Sequence, residues 1–455
     1  SKMPATVTFR LPKNWQIATG LEPTNNQNKF FVADVKTLLD CPVLIGKFKT
    51  WNFDVNNIPH KIVYWSLPNA TEFDKSILLN RIKKIVHEAK SLFKTFPYKH
   101  YTFLLQDGAY AALEHSNSVT IGVPSNTFYR DTIDTYQEIA HEYFHAWNLM
   151  ALHPEEYSDV NYGPQEKAAG LWWSEGLSMF YADLLLRRAK ITVYDSTRII
   201  HLEKLIENYF SNPGNAKISP EKSSLETNEQ PGGLGDYYTS VHLQGEVIGA
   251  MLDLIVRDAT NNKQSIDGVM RKMFQQFSGT KGFYGKDIEQ TVKNICNCDV
   301  HSFFSNYVYH ANEIDFNKYL KLIGHRVNVT WKKALDDNGN PLPDLNIFPW
   351  IKRGETVVRI GLTNPENCWG QAGLDTGNKI LKINSTAIRT REDFFHAIRN
   401  SKVSDVVKLE VEQNGIIKKI NVMVTDYNIP AANITSLKNI SQKQKDIFKN
   451  WNNSK

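Results

Sequence analysis

The stretch Glu138–Asn148, "EIAHEYFHAWN", constrains this chain more than any other: two histidines stand four residues apart, with a glutamate directly after the first. On a helix, residues four apart lie on one face, so both imidazoles can point at one tetrahedral ion at about 2.0–2.1 Å. Glu142 then faces the water that such an ion activates and can serve as its general base without ligating. Phe144 and Trp147 sit beside the pair and place the helix in a core. The competing reading is a helix whose two histidines are satisfied by core partners. The expected cofactor is zinc, one ion per chain, held by His141 and His145. A catalytic zinc takes a third protein ligand and leaves a position open. The candidate is Glu175 in "WWSEGLSMF", which opens a helix after a loop long enough to fold back. Taken alone, Glu175 reads equally well as a helix-start carboxylate stabilised by the dipole.

A chain of 455 residues suits two or three domains, and 41% hydrophobic residues supply sizeable cores. A net charge of +5, with no lysine run or arginine-rich arm, gives no footprint for nucleic acid. The four cysteines, Cys41, Cys296, Cys298 and Cys368, are expected to be unpaired thiols. No apolar run reaches the roughly 18 residues of a membrane span. No signal peptide is expected, and the start "SKMPATVTFRLP" fits a mature or trimmed form. The compartment stays open between a bacterial periplasm and the cytoplasm.

Along the chain, residues 1–66 read as β-rich, from "ATVTFRLP" to "HKIVYWSLP", the remainder of an N-terminal β domain. Helical periodicity begins at 72–96, where Leu78, Ile82, Ile85, Val86, Ala89, Leu92 and Phe93 recur at steps of three and four. "HYTFLLQ" and "SVTIGVP" read as strands on either side of "AALEHSNS". The motif helix is expected over 136–149, with Thr135 and Glu138 as a capping box. Further helices are expected at 196–210, 241–258, 264–277 and 285–295. The turn cluster "DDNGNPLPD" marks 326–350 as a connector. After it come four strands, one helix near 391–400 and a hairpin at "QNG".

"HEYFHAWN" followed by "LWWSEGLSMFY" resembles the glycyl aminopeptidase family of gluzincin metallopeptidases, which join a thermolysin-like domain to a C-terminal PDZ domain. "TFRLPKNWQIATGL", "LLDCPVLIG", "ALEHSNS" and "GAMLDLIVRDATNNKQSIDGVMRKM" extend the likeness over the chain. The resemblance implies a multidomain α+β protein: a partial β domain over 1–66, a mostly helical thermolysin-like zinc peptidase domain over 67–325, a barrel-like PDZ domain with its linker over 326–428, and a helical tail over 429–455. It implies His141, His145 and Glu175 as zinc ligands, Glu142 as base, and Glu114 as the carboxylate that binds the substrate's free amine. Ala111-Ala112 stands where the family has two glycines. The family's oxyanion-stabilising tyrosine lies three residues before a glycine; here His242 precedes Gly245, with Tyr237 and Tyr238 upstream as substitutes.

"GQAGLDTGNKILKINSTAI" resembles a PDZ segment, with Asn378 for the usual Asp. Such domains add a peptide to a sheet edge. The groove is expected between the strand near Val357–Leu362 and the helix near Arg391–Ile398, although no Gly-Leu-Gly-Phe loop is evident. Bracing of the cleft by this domain is the other reading. The function expected is a zinc aminopeptidase releasing a small N-terminal residue, Gly or Ala, from peptides. The alternatives are a zinc endopeptidase, and a non-catalytic relative that binds peptides through its PDZ domain.

Overall fold

The structure, a computed structural model, describes residues 3–109, 111–158, 166–191, 197–226, 239–352 and 354–453. Two compact units divide the chain: Ser1–Ser196, Gln264–Ile295 and Asn450–Lys455 form the first, and Thr197–Lys263 with Cys296–Lys449 the second. The sequence boundaries at 66 and 325 do not mark these units.

The first unit opens with a small β module. Its strands are β1 (Ala5–Thr8), β2 (Gln16–Thr19), β3 (Glu22–Pro23), β4 (Lys29–Val32) and β5 (Val43–Gly46), with helix α1 (Val35–Asp40) before β5. Leu21, Val32 and Cys41 form its own core with Val7 and Phe30. The module's Ala18 packs on Val63 and Leu104 of the next sheet.

That sheet has five strands in the order β6 (Lys49–Val55), β7 (Ile58–Trp65), β8 (Tyr101–Gln106), β10 (Ser118–Gly122), β9 (Ala112–Glu114). β7, β8 and β10 are parallel, while β6 and β9 are antiparallel edges. The boundary expected at residue 66 is therefore corrected: "HKIVYWSLP" is the second strand of the sheet that carries "AALEHSNS". The run YTFLL is buried on both faces, the texture of a central parallel strand, and strand pairing across distant segments has no local sequence mark.

Helix α2 (Lys75–Phe93) buries all seven residues of its apolar stripe, each side chain contributing roughly 1.5–3 kcal/mol of transfer free energy. Helices α3 (Ser125–Arg130), α4 (Ile133–Phe144) and α5 (Leu171–Arg188) follow. α4 starts three residues before the expected point. Thr132 occupies its N-cap, and Thr135 lies buried in the first turn with its hydroxyl 2.8 Å from that of Thr132. α4 also stops at Phe144 rather than at Leu149: a wider turn over Ala146–Ala151 carries non-helical backbone at Asn148 and Leu149. α4 and α5 pack through Phe144 stacked on Tyr181 at 4.6 Å. Two further helices of this unit begin at Ile266 and Gly285.

In the second unit, helix α6 (Arg198–Ser211) and the helix Val241–Ala259 share a buried ion pair, Arg198 to Asp253 at 3.3 Å. Strand β11 (His325–Lys333) pairs along its whole length with β18 (Asn428–Ser436). The expected connector is thus a strand at its start, and the expected helical tail begins as that strand's partner before turning helical at Gln442–Asn452. Backbone N–H groups of β18 not spent on β11 are taken by α6: Glu207 accepts from Ala432 at 2.9 Å and Glu203 from Ile434 at 2.6 Å.

Between these strands lies a lobe with its own core around Ile360, Trp369, Ile383, Phe394 and Val411. Its sheet runs β12 (Ile347–Ile351), β13 (Val358–Leu362), β14 (Lys379–Ile383), β16 (Val406–Gln413), β17 (Ile416–Met423), with β15 (Thr386–Ala387) on β14. Asn414 and Gly415 form the two-residue hairpin turn, both at positive φ. Asn378 accepts from the Asp375 N–H at 2.9 Å and from Gln413 at 2.6 Å through one oxygen, as an aspartate would. The expected groove strand is corrected. β13 is paired on both sides, and its Ile360 spends N–H and C=O on the β14 side. Within the sheet the outer strands are β12 and β17. On β12, Pro349, opposite Ile360, presents no N–H to an added strand.

Cys296 and Cys298 are joined by a disulfide, which corrects the expectation of four unpaired thiols. Cys41 and Cys368 are free and buried.

Candidate metal centre

His141 and His145 lie one turn apart at the end of α4, 7% and 1% exposed. Their Nε2 atoms are 3.1 Å apart. His145 is oriented from behind: its Nδ1 lies 3.1 Å from the Asn148 carbonyl, which can only accept, so Nδ1 carries the proton there and Nε2 faces the cluster. The break in the helix supplies that carbonyl, because an α-helix continued through Asn148 would have turned it along the axis. The Asn148 side chain reaches α5 and donates to the carbonyls of Trp173 at 3.2 Å and Ser174 at 3.0 Å. Glu175 is the next residue. One buried amide thus links the two helices that carry the cluster.

Glu175 brings its Oε2 to 3.7 Å from His141 Nε2 and 3.4 Å from His145 Nε2. All three ligand atoms lie within 4.8 Å of one another. A tetrahedral ion with bonds of about 2.0–2.1 Å holds its ligand atoms roughly 3.3–3.4 Å apart. The three separations of 3.1, 3.4 and 3.7 Å bracket that edge, so the donor set fits a metal such as zinc in both chemistry and spacing.

The electrostatics agree. Burial raises the Glu142 carboxyl to about 7; His145 opposes this, and the charges of Glu114, Glu175 and Glu138 add to it. For His145, burial works toward deprotonation, but Glu175, by charge and hydrogen bond, with Glu114 and Glu142, outweighs it and lifts the imidazole to about 9. Three carboxylates around two imidazoles call for positive charge at this point. Glu142 Oε2 is buried and has no hydrogen-bond partner among the described residues, as expected of a carboxylate that serves a reacting water.

Glu114 ends β9, the sheet edge that packs beside α4, and its charge acts on both Glu142 and His145. The structure therefore gathers His141, Glu142, His145, Glu175 and Glu114 in one unit. His242 belongs to the second unit, in the first turn of the helix Val241–Ala259, with its Nδ1 3.5 Å from Ser240 Oγ. Tyr237 and Tyr238 lie outside the described residues.

Two residues near the cluster carried no sequence signal. Asn148 was visible only as the last letter of the motif. Tyr157 sits in the turn Glu155–Tyr157, on the loop between the ligand helices. Burial, then the charges of Glu175 and Glu156, push its phenol up to about 12, so it stays a hydrogen-bond donor at neutral pH.

The M61 glycyl aminopeptidase family model matches residues 134–248, and that of the peptidase M61 N-terminal domain matches residues 1–47. In fold, the chain is similar to an aminopeptidase N family protein from Idiomarina loihiensis: TM-score 0.73, 20% identity, 99% of this chain and 79% of that one. Fainter likenesses are to an M1 zinc metallopeptidase from Deinococcus radiodurans (TM-score 0.46, 15% identity, 68% of this chain, 63% of that one) and to yeast LTA4 hydrolase (TM-score 0.47, 16% identity, 70% and 48%). The chain spans less than two thirds of these last two. No curated protein matches it. The family-model matches support a peptidase.

Proposed function

We propose that this chain is a zinc-dependent aminopeptidase that removes a small N-terminal residue, Gly or Ala, from peptides. The observation that carries the reading is the convergence of His141, His145 and Glu175 at zinc-ligand spacing, with the partly buried Glu142 and Glu114 electrostatically coupled to them. His141, His145 and Glu175 would hold the ion. A bound zinc would acidify a water and polarise the scissile carbonyl. Glu142 takes a proton from the attacking water and returns it to the leaving amine nitrogen, so water is added across the C–N bond. Glu114 pairs with the free α-ammonium group and so fixes cleavage one residue from the end. For the oxyanion there are two sources. His242, or Tyr237 or Tyr238, is offered by sequence pattern, and Tyr157 by its electrostatic proximity to Glu175.

The endopeptidase reading has Glu114 against it, because an internal peptide bond presents no ammonium group to pair with. The peptide-scaffold reading has Pro349 against it at β12, which lacks a donor at its centre, and would have to use the opposite edge, β17. The test uses glycyl- and alanyl-anilides, their N-acetylated forms and the Glu142→Gln variant. Turnover of free-amine substrates alone, lost in the variant while one zinc per chain remains bound, is the expected result. Equal turnover of acetylated substrates would instead make it an endopeptidase. One bound zinc with no turnover would leave a non-catalytic relative.

A further inference from the structure

β9 has three residues, too few to hold a position at a sheet edge by its own ladder. It enters through Ala111, a non-glycine residue at φ +72 whose carbonyl accepts from the Gly122 N–H at 2.9 Å. It leaves through the turn His115–Asn117, and that turn is held by the N-terminal module. Asp40, the last residue of α1, accepts from the Ser116 N–H at 3.1 Å through one oxygen and lies 3.6 Å from His115 Nδ1 through the other. Asn117 donates to the Gly20 carbonyl at 2.7 Å, and its oxygen lies 3.8 Å from Cys41 Sγ. The fit at Gly20 is close: a Cβ there would come within 2.3 Å of Asn117 Oδ1. Consecutive strand residues face opposite ways. Glu114 therefore points to the cluster side, while His115, 8% exposed, points toward the module.

From this arrangement we infer that the N-terminal module is a latch that sets the position of Glu114, with Asp40 and Asn117 as positioning residues for recognition of the substrate amine. The inference rests on the proposed role of Glu114. The rest of "EHSNS" then has an assignment: the glutamate faces substrate and the next three residues hold the strand in place.

The test compares Asp40→Ala and Gly20→Ala, which open the latch chemically and sterically, with Asp34→Ala. Asp34 caps α1 inside the same module, accepting from Thr37 N–H at 2.7 Å. Two readouts are taken: hydrogen exchange over residues 111–118, and the separate kcat and KM for glycyl-anilide. In both latch variants exchange is expected to quicken about tenfold over that segment. KM is expected to rise about tenfold with kcat nearly unchanged, the signature of lost ground-state positioning. Asp34→Ala should reproduce neither effect. Unchanged exchange and KM in folded latch variants, or an equal effect of Asp34→Ala, would overturn the inference. If the parent cleaves no anilide, the aminopeptidase reading fails on its own, and the exchange comparison still decides whether the module holds β9.

Discussion

At the scale of single residues, the cluster depends on groups outside the set His141, His145 and Glu175. Asn148 fixes the ring of His145 through its carbonyl and the start of α5 through its amide. Partners of this kind typically carry a factor of 10–100 in metal affinity. Asn148→Ala is expected to weaken zinc binding by about that factor, read by competition with a chromophoric chelator, while a cobalt-substituted protein shows an altered ligand-field spectrum. An unchanged affinity would mean that packing alone orients His145. Tyr157→Phe keeps the ring and removes the donor. It is expected to lower kcat by about 10² with zinc content intact. If His242→Gln carries that loss instead, the donor comes from the helix at 241. The pairing of His141 with His145 was legible in the sequence because a four-residue spacing is a local property. Asn148 and Tyr157 were not, because their roles depend on a helix that breaks after Phe144 and on a loop that folds back.

At the scale of elements, α4 is fastened to the sheet by a buried polar chain. The Tyr143 hydroxyl meets that of Tyr98, which lies 3.1 Å from His60 Nε2, and His60 Nδ1 donates to the Ile58 carbonyl at 2.9 Å. Burial lowers the His60 imidazole to about 4, against the pull of the Ile58 carbonyl and Asp54, so the folded protein holds it neutral. The sign follows. Below about pH 6.5 the unfolded chain binds a proton that the folded chain refuses, so this contribution is intact at pH 7 and is lost as pH falls toward 4. Between pH 7 and 4.5 the loss should be on the order of 2–3 kcal/mol. Denaturant unfolding at the two pH values checks it: His60→Gln should lose less stability on acidification than the parent does. An equal loss would place the acid-sensitive group elsewhere. Helix positions in this region were legible from periodicity, with ends displaced by a few residues. The sheet was not, since β7, β8 and β10 are joined across intervening segments and a strand carries no mark of its partner.

At the scale of the whole molecule, the change of texture near residue 350 was legible, because alternation along β16 is local: every second residue is buried. Its setting was not. β11 and β18 lie about a hundred residues apart in sequence, and only the fold shows that they enclose the lobe like the two sides of a hairpin. The lobe's ends accordingly meet: Ala334 N–H donates to the Tyr427 carbonyl at 3.0 Å, and Asp344 N–H to that of Thr425 at 2.8 Å. A segment with adjacent ends and a core of its own is an inserted domain in the physical sense, because cutting it out severs one short ribbon and no core. A fragment of residues 334–427 is therefore expected to fold alone, with a single cooperative denaturant transition and a stability of several kcal/mol. Its amide spectrum should match that of the same residues in the full chain. The Pro349 edge gives a second readout on this fragment. Pro349→Val restores the missing donor and should increase self-association, seen as a concentration-dependent sedimentation coefficient, while the parent fragment stays monomeric. A parent fragment that pairs as readily as the variant would show that the proline does not guard this edge. A fragment that unfolds without cooperativity would show that the ribbon is part of the lobe's core.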